Sequence, residues 1–231
     1  MLPKQSLPIF ELVVPSTKKK VKFRPFTVRE EKVLLQAVEV GDENVMLNAG
    51  IGVISACIPD IGDVNKLTLF DAEYILTAIR TKSVEESVTL DMPCDESEAH
   101  QKSRIMVNLD ALNVVYPEGH QINIPLYDDV GIVMKYPTIG DIAELDKLSG
   151  VELVSACIDY IYTKDEIFKS EEQTAEELAD FIDNLTKPQF AKIEDLFFKR
   201  MPYFEINVEY TCRDCGKKHQ KHFRGFSSFF G

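Results

Sequence analysis

Apolar and polar positions along the chain fall into short alternating runs and longer helical ones, in an order that occurs twice. Ile9-Phe10-Glu11-Leu12-Val13-Val14 and the run from Lys18 to Phe26 flank Pro15-Ser16-Thr17, a turn signal, and predict an opening β-hairpin. Pro25 ends it. Thr27-Val28-Arg29-Glu30 reads as a capping box, and Val33, Leu34, Ala37 and Val38 fall on one face of the helix it opens. After a loop around Gly41, residues 45–58 are almost wholly apolar and predict a buried central helix. Thr68 caps a third helix to about Arg80. Alternation resumes from Val84 through Val88, Leu90 and Met92 to Cys94, and a return strand is expected from Ser103 to about Leu112.

The order then begins again. Aligning Pro25 on Pro137 without a gap lays Phe10-Glu11-Leu12 over Ile122-Asn123-Ile124, and Asp128-Asp129 supplies the turn of a second hairpin. Thr138-Ile139-Gly140-Asp141 caps the helix that follows. Ser55-Ala56-Cys57-Ile58 recurs as Ser155-Ala156-Cys157-Ile158, and Leu67 through Cys94 aligns gaplessly on Leu185 through Cys212. The expected fold is therefore α+β, a tandem duplication of a β-hairpin/three-helix/β-hairpin unit, the second ending in a zinc-knuckle-like hairpin. The first unit spans residues 1–116, with a degenerate knuckle hairpin at 84–115. The second spans 117–231, with an acidic insertion at 163–180, a C-x2-C hairpin at 203–224 and an aromatic tail. The insertion predicts one more amphipathic helix with Leu178, Phe181 and Ile182 inward. The apolar stretches 45–58 and 151–162 are expected to be long helices sharing one core.

Charge narrows the partners. With 26 Lys and Arg against 38 Asp and Glu in 231 residues, the net charge is −12, which opposes unspecific nucleic-acid binding. No run approaches the length of a bilayer-spanning segment, the start lacks a secretory signal layout, and five cysteines do not pair into a disulfide framework. A reducing cytosol is expected, with no membrane partner.

One constellation carries chemistry. Cys212-Arg213-Asp214-Cys215-Gly216 places two thiolates at C-x2-C spacing before a glycine, between two strands, which is half of a zinc ribbon. The aligned position in the first unit reads Cys94-Asp95-Glu96-Ser97, with serine where the second cysteine would stand. Cys94 and His100 would complete a site if the two knuckles face each other; His219 and His222, in the last hairpin, are the alternatives. Any zinc there, one ion, would be structural. A thioredoxin-type use is disfavoured, because that motif opens a helix and this one lies between β-type residues. No phosphate loop, nucleophile elbow, H-E-x-x-H or dinucleotide turn is present, so neither an enzyme nor a small-molecule substrate is expected. Cys57 and Cys157 read as core residues. In Phe223-Arg224-Gly225-Phe226-Ser227-Ser228-Phe229-Phe230, the rings of Phe226, Phe229 and Phe230 are candidates either to fold back or to dock into a partner.

Leu7-Pro8-Ile9-Phe10-Glu11-Leu12, Lys22-Phe23-Arg24-Pro25-Phe26, Val133-Met134-Lys135-Tyr136-Pro137-Thr138 and the closing C-x2-C-G with its Phe-Phe end together resemble the baseplate hub family of T-even-like contractile-tailed phages. The resemblance implies a hub subunit or hub-assembly chaperone, working by contacts with other hub and tail proteins in the host cytoplasm and retained or not in the virion. The other class is a zinc-ribbon adaptor recruiting a nucleic-acid-processing complex, for which Arg213, Lys217, Lys218, Lys221 and Arg224 offer a local basic face.

Overall fold

The opening hairpin forms as its alternation requires. In the computed structural model, which describes residues 6–84, 87–108, 114–145, 147–148 and 150–224, strands β1 (Phe10–Val13) and β2 (Lys20–Phe23) pair antiparallel, with Phe10 opposite Phe23 and Leu12 opposite Val21. Leu12, Val14, Val21 and Phe23 are buried. The turn is tied down from below. The buried Asp71 carboxylate accepts the Ser16 N–H at 2.8 Å and the Ser16 hydroxyl as well. Asp71 sits in the first turn of α3 (Leu69–Ser83), where its own N–H is capped by Thr68 Oγ1 at 3.2 Å.

Three helices follow in the order the pattern predicts. The Thr27/Glu30 capping box opens α1 (Val28–Val40), and Gly41 closes it at φ 70°, in the left-handed region that glycine adopts without strain. Burial alone would raise Glu30. Hydrogen bonds from the Thr27 hydroxyl, from Arg24 and from the Thr27 N–H outweigh it and hold the carboxyl at about 2. Asp42 caps α2 (Glu43–Cys57), which packs between α1 and α3 through Ala49, Val53, Ile54 and Cys57.

Two further strand layers complete this unit. β3 (Ser87–Met92) pairs with β4 (Ser103–Asn108), and β10 (Tyr203–Thr211) pairs with β11 (Lys218–Arg224) on one side and with the short β5 (Val114–Val115) on the other. Met92, Phe204, Ile206, Val208 and Tyr210 form their common core, flanked by Leu90, Ile105, Val107 and, from α3, Tyr74.

The chain divides into two compact units, Met1–Val115 with Tyr203–Gly231 and, inserted between them, Tyr116–Pro202. The C-terminal hairpin, counted with the second unit in the sequence reading, thus lies in the first. Pairing of β10 with β5 and packing of β10 on α3 draw it there.

The inserted unit carries an antiparallel sheet in the order β6 (Asn123–Tyr127), β7 (Val130–Met134), β8 (Ile158–Tyr162), β9 (Ile167–Lys169). α4 (Ile142–Leu145), α5 (Val151–Ala156), α6 (Ala175–Asp183) and α7 (Lys187–Leu196) accompany it. The core is Ile124, Ile132, Met134, Val154, Cys157, Ile158, Ile161, Leu178, Ile182, Ile193 and Phe197. The acidic insertion contains the expected amphipathic helix as α6, with Leu178 and Ile182 buried and Phe181 half-buried, and also the unexpected β9.

One expectation is overturned. Residues 151–162 are not one long helix: α5 ends at Ala156, and Ile158–Tyr162 is strand β8, with Ile161 opposite Ile132 and Tyr160 opposite Val133. Its β-branched and aromatic residues favour a pleated surface, and β7 offers a free edge. The shared core of two long helices falls with it. Phe226, Phe229 and Phe230 lie outside the described residues.

Glu73, on α3, is 5% exposed, and burial pushes its carboxyl up to about 7 from an ordinary 4.5. Between those values the folded chain holds a proton that the unfolded chain has released. The stabilisation is therefore complete below pH 4.5 and lost as pH rises through 7. The shift corresponds to about 3 kcal/mol. Urea midpoints should fall from pH 5 to pH 8 in the natural chain and change much less over that window in Glu73→Gln.

Candidate metal centre

The tips of the two stacked hairpins bring the sulfur residues together. Downstream of β10, Cys212 opens a tight knuckle: its N–H donates to Lys217 O at 2.9 Å, and Gly216 N–H donates to Cys212 O at 3.0 Å. Gly216 has φ 71°, the left-handed turn that lets Cys212 and Cys215 face the same point. Backbone N–H groups of Cys215 and then Asp214 aim at Cys212 Sγ and, against burial, pull its thiol down to about 7.

The opposing tip, between β3 and β4, supplies Cys94 and His100. Ser97, three residues after Cys94, organises a turn. Its hydroxyl accepts the Ala99 N–H at 3.2 Å, and its carbonyl accepts the His100 N–H at 3.3 Å. That turn swings the His100 ring inward, with Nδ1 3.2 Å from Cys94 Sγ and 3.7 Å from Cys212 Sγ. Cys94 Sγ lies 3.8 Å from Cys215 Sγ. The donor atoms of Cys94, His100, Cys212 and Cys215 all fall within 4.8 Å of one another and could hold a metal ion. Cys94 and Cys212 are buried, His100 is half-buried and Cys215 is exposed.

The two other candidate histidines part company. His219 is buried beside the centre, Nε2 3.5 Å from Cys94 Sγ and Nδ1 3.3 Å from Asp95 Oδ2, its ring stacked on Tyr210. His222 points the other way, Nδ1 3.4 Å from Glu205 Oε2, and takes no part in the cluster.

Direct bonds join the two tips around the sulfurs. Tyr210 Oη donates to Pro93 O at 2.6 Å, Ser103 Oγ to Thr211 O at 3.2 Å, and Gln101 N–H to Asp214 Oδ2 at 2.7 Å. Lys217 pairs with Glu96 at 2.7 Å, and Lys221 pairs with Asp95. Lys217 and Lys221 drew notice in the sequence only as part of the basic face, and Tyr210, Ser103 and Gln101 gave no signal of these bonds there. Two of the five cations of the local basic face are thereby occupied. The other buried thiols, Cys57 and Cys157, are each pushed up to about 11 by burial, as befits core residues and not nucleophiles.

Fold and site together define an α+β protein with a Cys/His centre at the end of a two-hairpin stack. A family model described as T4 bacteriophage base plate protein matches residues 7–231, and the chain belongs to that family. No curated protein and no solved structure matches it. Membership makes it a phage baseplate structural or assembly protein that works beside other baseplate proteins and is associated with the virion tail. Among the described residues no helix is long and apolar enough to cross a membrane.

A side chain at position 216 would meet no neighbour within 4 Å, so its cost comes from the backbone alone. Gly216→Val should lose about 1–2 kcal/mol in chemical denaturation, the penalty of a left-handed residue, and Gly216→Asn clearly less.

Proposed function

We propose that the chain is a subunit or assembly chaperone of the central baseplate hub, active in the host cytoplasm during tail assembly through protein contacts and not through catalysis. The family match over residues 7–231 carries the baseplate part of this reading. The hub part rests on the motifs of the opening hairpin and of residues 133–138. One structural zinc ion in the Cys/His centre belongs to the same reading, as a brace for one unit.

Charge segregation supports contact with a basic partner. Residues 116–202 hold 8 Lys and Arg against 18 Asp and Glu, a net −10, while the rest of the chain holds 18 against 20, a net −2. An acidic unit steers basic surfaces toward itself and repels phosphates. That, with Lys217 and Lys221 already paired, weighs against the adaptor that would recruit a nucleic-acid complex.

Descent from a duplicated hairpin/helix/hairpin unit is part of the proposal, and several geometric parallels support it. The strand leaving each opening hairpin donates a backbone N–H to the carbonyl of the cysteine in the repeated string, Arg24 to Cys57 at 3.0 Å and Lys135 to Cys157 at 2.8 Å. Thr68 and Thr186 both serve as N-caps, and the aligned Cys94 and Cys212 both stand at hairpin tips.

Co-expression with each hub and tail protein of the same phage, followed by native mass spectrometry, tests the role. A defined hetero-complex with a hub component, weakening as salt rises, is expected. A chain that ignores every hub component would remove the hub assignment and leave family membership alone.

A further inference from the structure

We infer that Cys94, His100, Cys212 and Cys215 form a closed tetrahedral zinc site with three thiolates and the Nδ1 of His100, and that His219 with Asp95 stands outside it as a supporting pair. The inference goes beyond the baseplate role and does not depend on it. Zinc binds thiolate sulfur at about 2.3 Å and imidazole nitrogen at about 2.0 Å, so a tetrahedron has edges of about 3.8 Å between sulfurs and about 3.5 Å between sulfur and nitrogen. The Cys94–Cys215 separation is 3.8 Å, and His100 Nδ1 lies 3.2 and 3.7 Å from the sulfurs of Cys94 and Cys212. Soft donors without a carboxylate in the set select zinc over magnesium or calcium, and one nitrogen among three sulfurs fits zinc better than a sulfur-only iron site.

His219 is the competing ligand, and geometry separates the two histidines. His100 Nδ1 approaches two of the sulfurs and lies within the compact set, whereas His219 has a single sulfur contact, at 3.5 Å, and is held by Asp95 on its other nitrogen. Its place is that of an outer-shell residue, which fixes the position of a ligand without touching the metal.

The test uses the full chain expressed with zinc and dialysed. Metal analysis should give one zinc per chain, and X-ray absorption should give three sulfurs at about 2.3 Å and one nitrogen at about 2.0 Å. His100→Ala and Cys212→Ser should lose more zinc affinity than the roughly 100-fold that removal of an outer-shell partner brings, while His219→Gln should keep one zinc and lose no more than that. A chain without zinc, a bound iron or copper instead, a shell with two sulfurs or with carboxylate oxygen, or a His219 effect exceeding that of His100 would each overturn the assignment. The absorption measurement on the unmutated chain decides the matter even if a variant fails to fold. A zinc-free chain that still joins the hub would overturn this inference, and the zinc brace with it, and leave the hub role standing.

Discussion

Val115 lies opposite Tyr203 and Val114 opposite Phe204, so the chain leaves one compact unit and re-enters it on neighbouring antiparallel strands after an excursion through residues 116–202. Much of the architecture of that unit depends on this short pairing. It sets where β10 starts, which sends β10 along α3 with Phe204, Ile206, Val208 and Tyr210 facing Met92, Leu90, Ile105 and Val107. Because residues alternate along a strand, the start also fixes which side chains of β10 and β11 are buried and where the knuckle at Cys212 ends up. Before the inserted unit folds, closing a flexible excursion of this length would cost on the order of 4 kcal/mol of chain entropy. Two residue pairs of β5 cannot offset that, so the apolar core between the hairpins must hold the return, and the centre at its far end stands on that core.

How firmly the tips are held follows from the contacts around the sulfurs. The Lys217–Glu96 pair is exposed and screened by water, so it contributes little. The Tyr210 hydroxyl on Pro93 O and the Asp214 carboxylate on the Gln101 amide are directional and join one tip to the other. They align the donors without closing the gap between them, since sulfurs at 3.8 Å make at most a weak mutual contact. A bound metal ion would therefore act on tips already brought into register, and its binding energy would go mainly into stabilising the hairpin stack.

Much of this was legible in the sequence, for physical reasons that can be named. Capping boxes at Thr27 and Thr138 and the cap at Thr68 are local chemistry, and they stand where the spacing placed them. The hairpins of β1–β2 and β6–β7 follow from period-two alternation around turn residues. Residues 151–162 misled because a short apolar run is compatible with helix and strand alike, and the neighbour that decides, β7, is a matter of tertiary structure. The extent of the compact units was not legible in the sequence, because the hairpin of residues 203–224 packs with elements far upstream, on β5 and α3. At the cluster, spacing singled out Cys212 and Cys215 as candidates and comparison of the two hairpins added Cys94 and His100, and the four donors stand together. Parity could have removed His222 at once. It lies three residues from His219 on β11, so the two rings face opposite sides of the sheet. Which histidine lies nearer the sulfurs was beyond sequence, since it turns on how the Ser97 carbonyl and hydroxyl fold residues 97–100.

That Ser97 turn bears on what the centre is for. A C-x2-C knuckle offers a metal two ligands, and two facing knuckles would offer four sulfurs. Here Ser97 stands three residues after Cys94, and the turn it makes brings a nitrogen donor from His100, so the cluster counts four protein donors that could hold a metal ion. A site that activates water or polarises a substrate keeps one position open. A metal held by all four of these donors would keep no such position open. A set of four protein donors would suit a metal held as a brace. In a protein that must present fixed surfaces to its neighbours in a baseplate, rigidity at the end of a hairpin stack is itself a contribution to function.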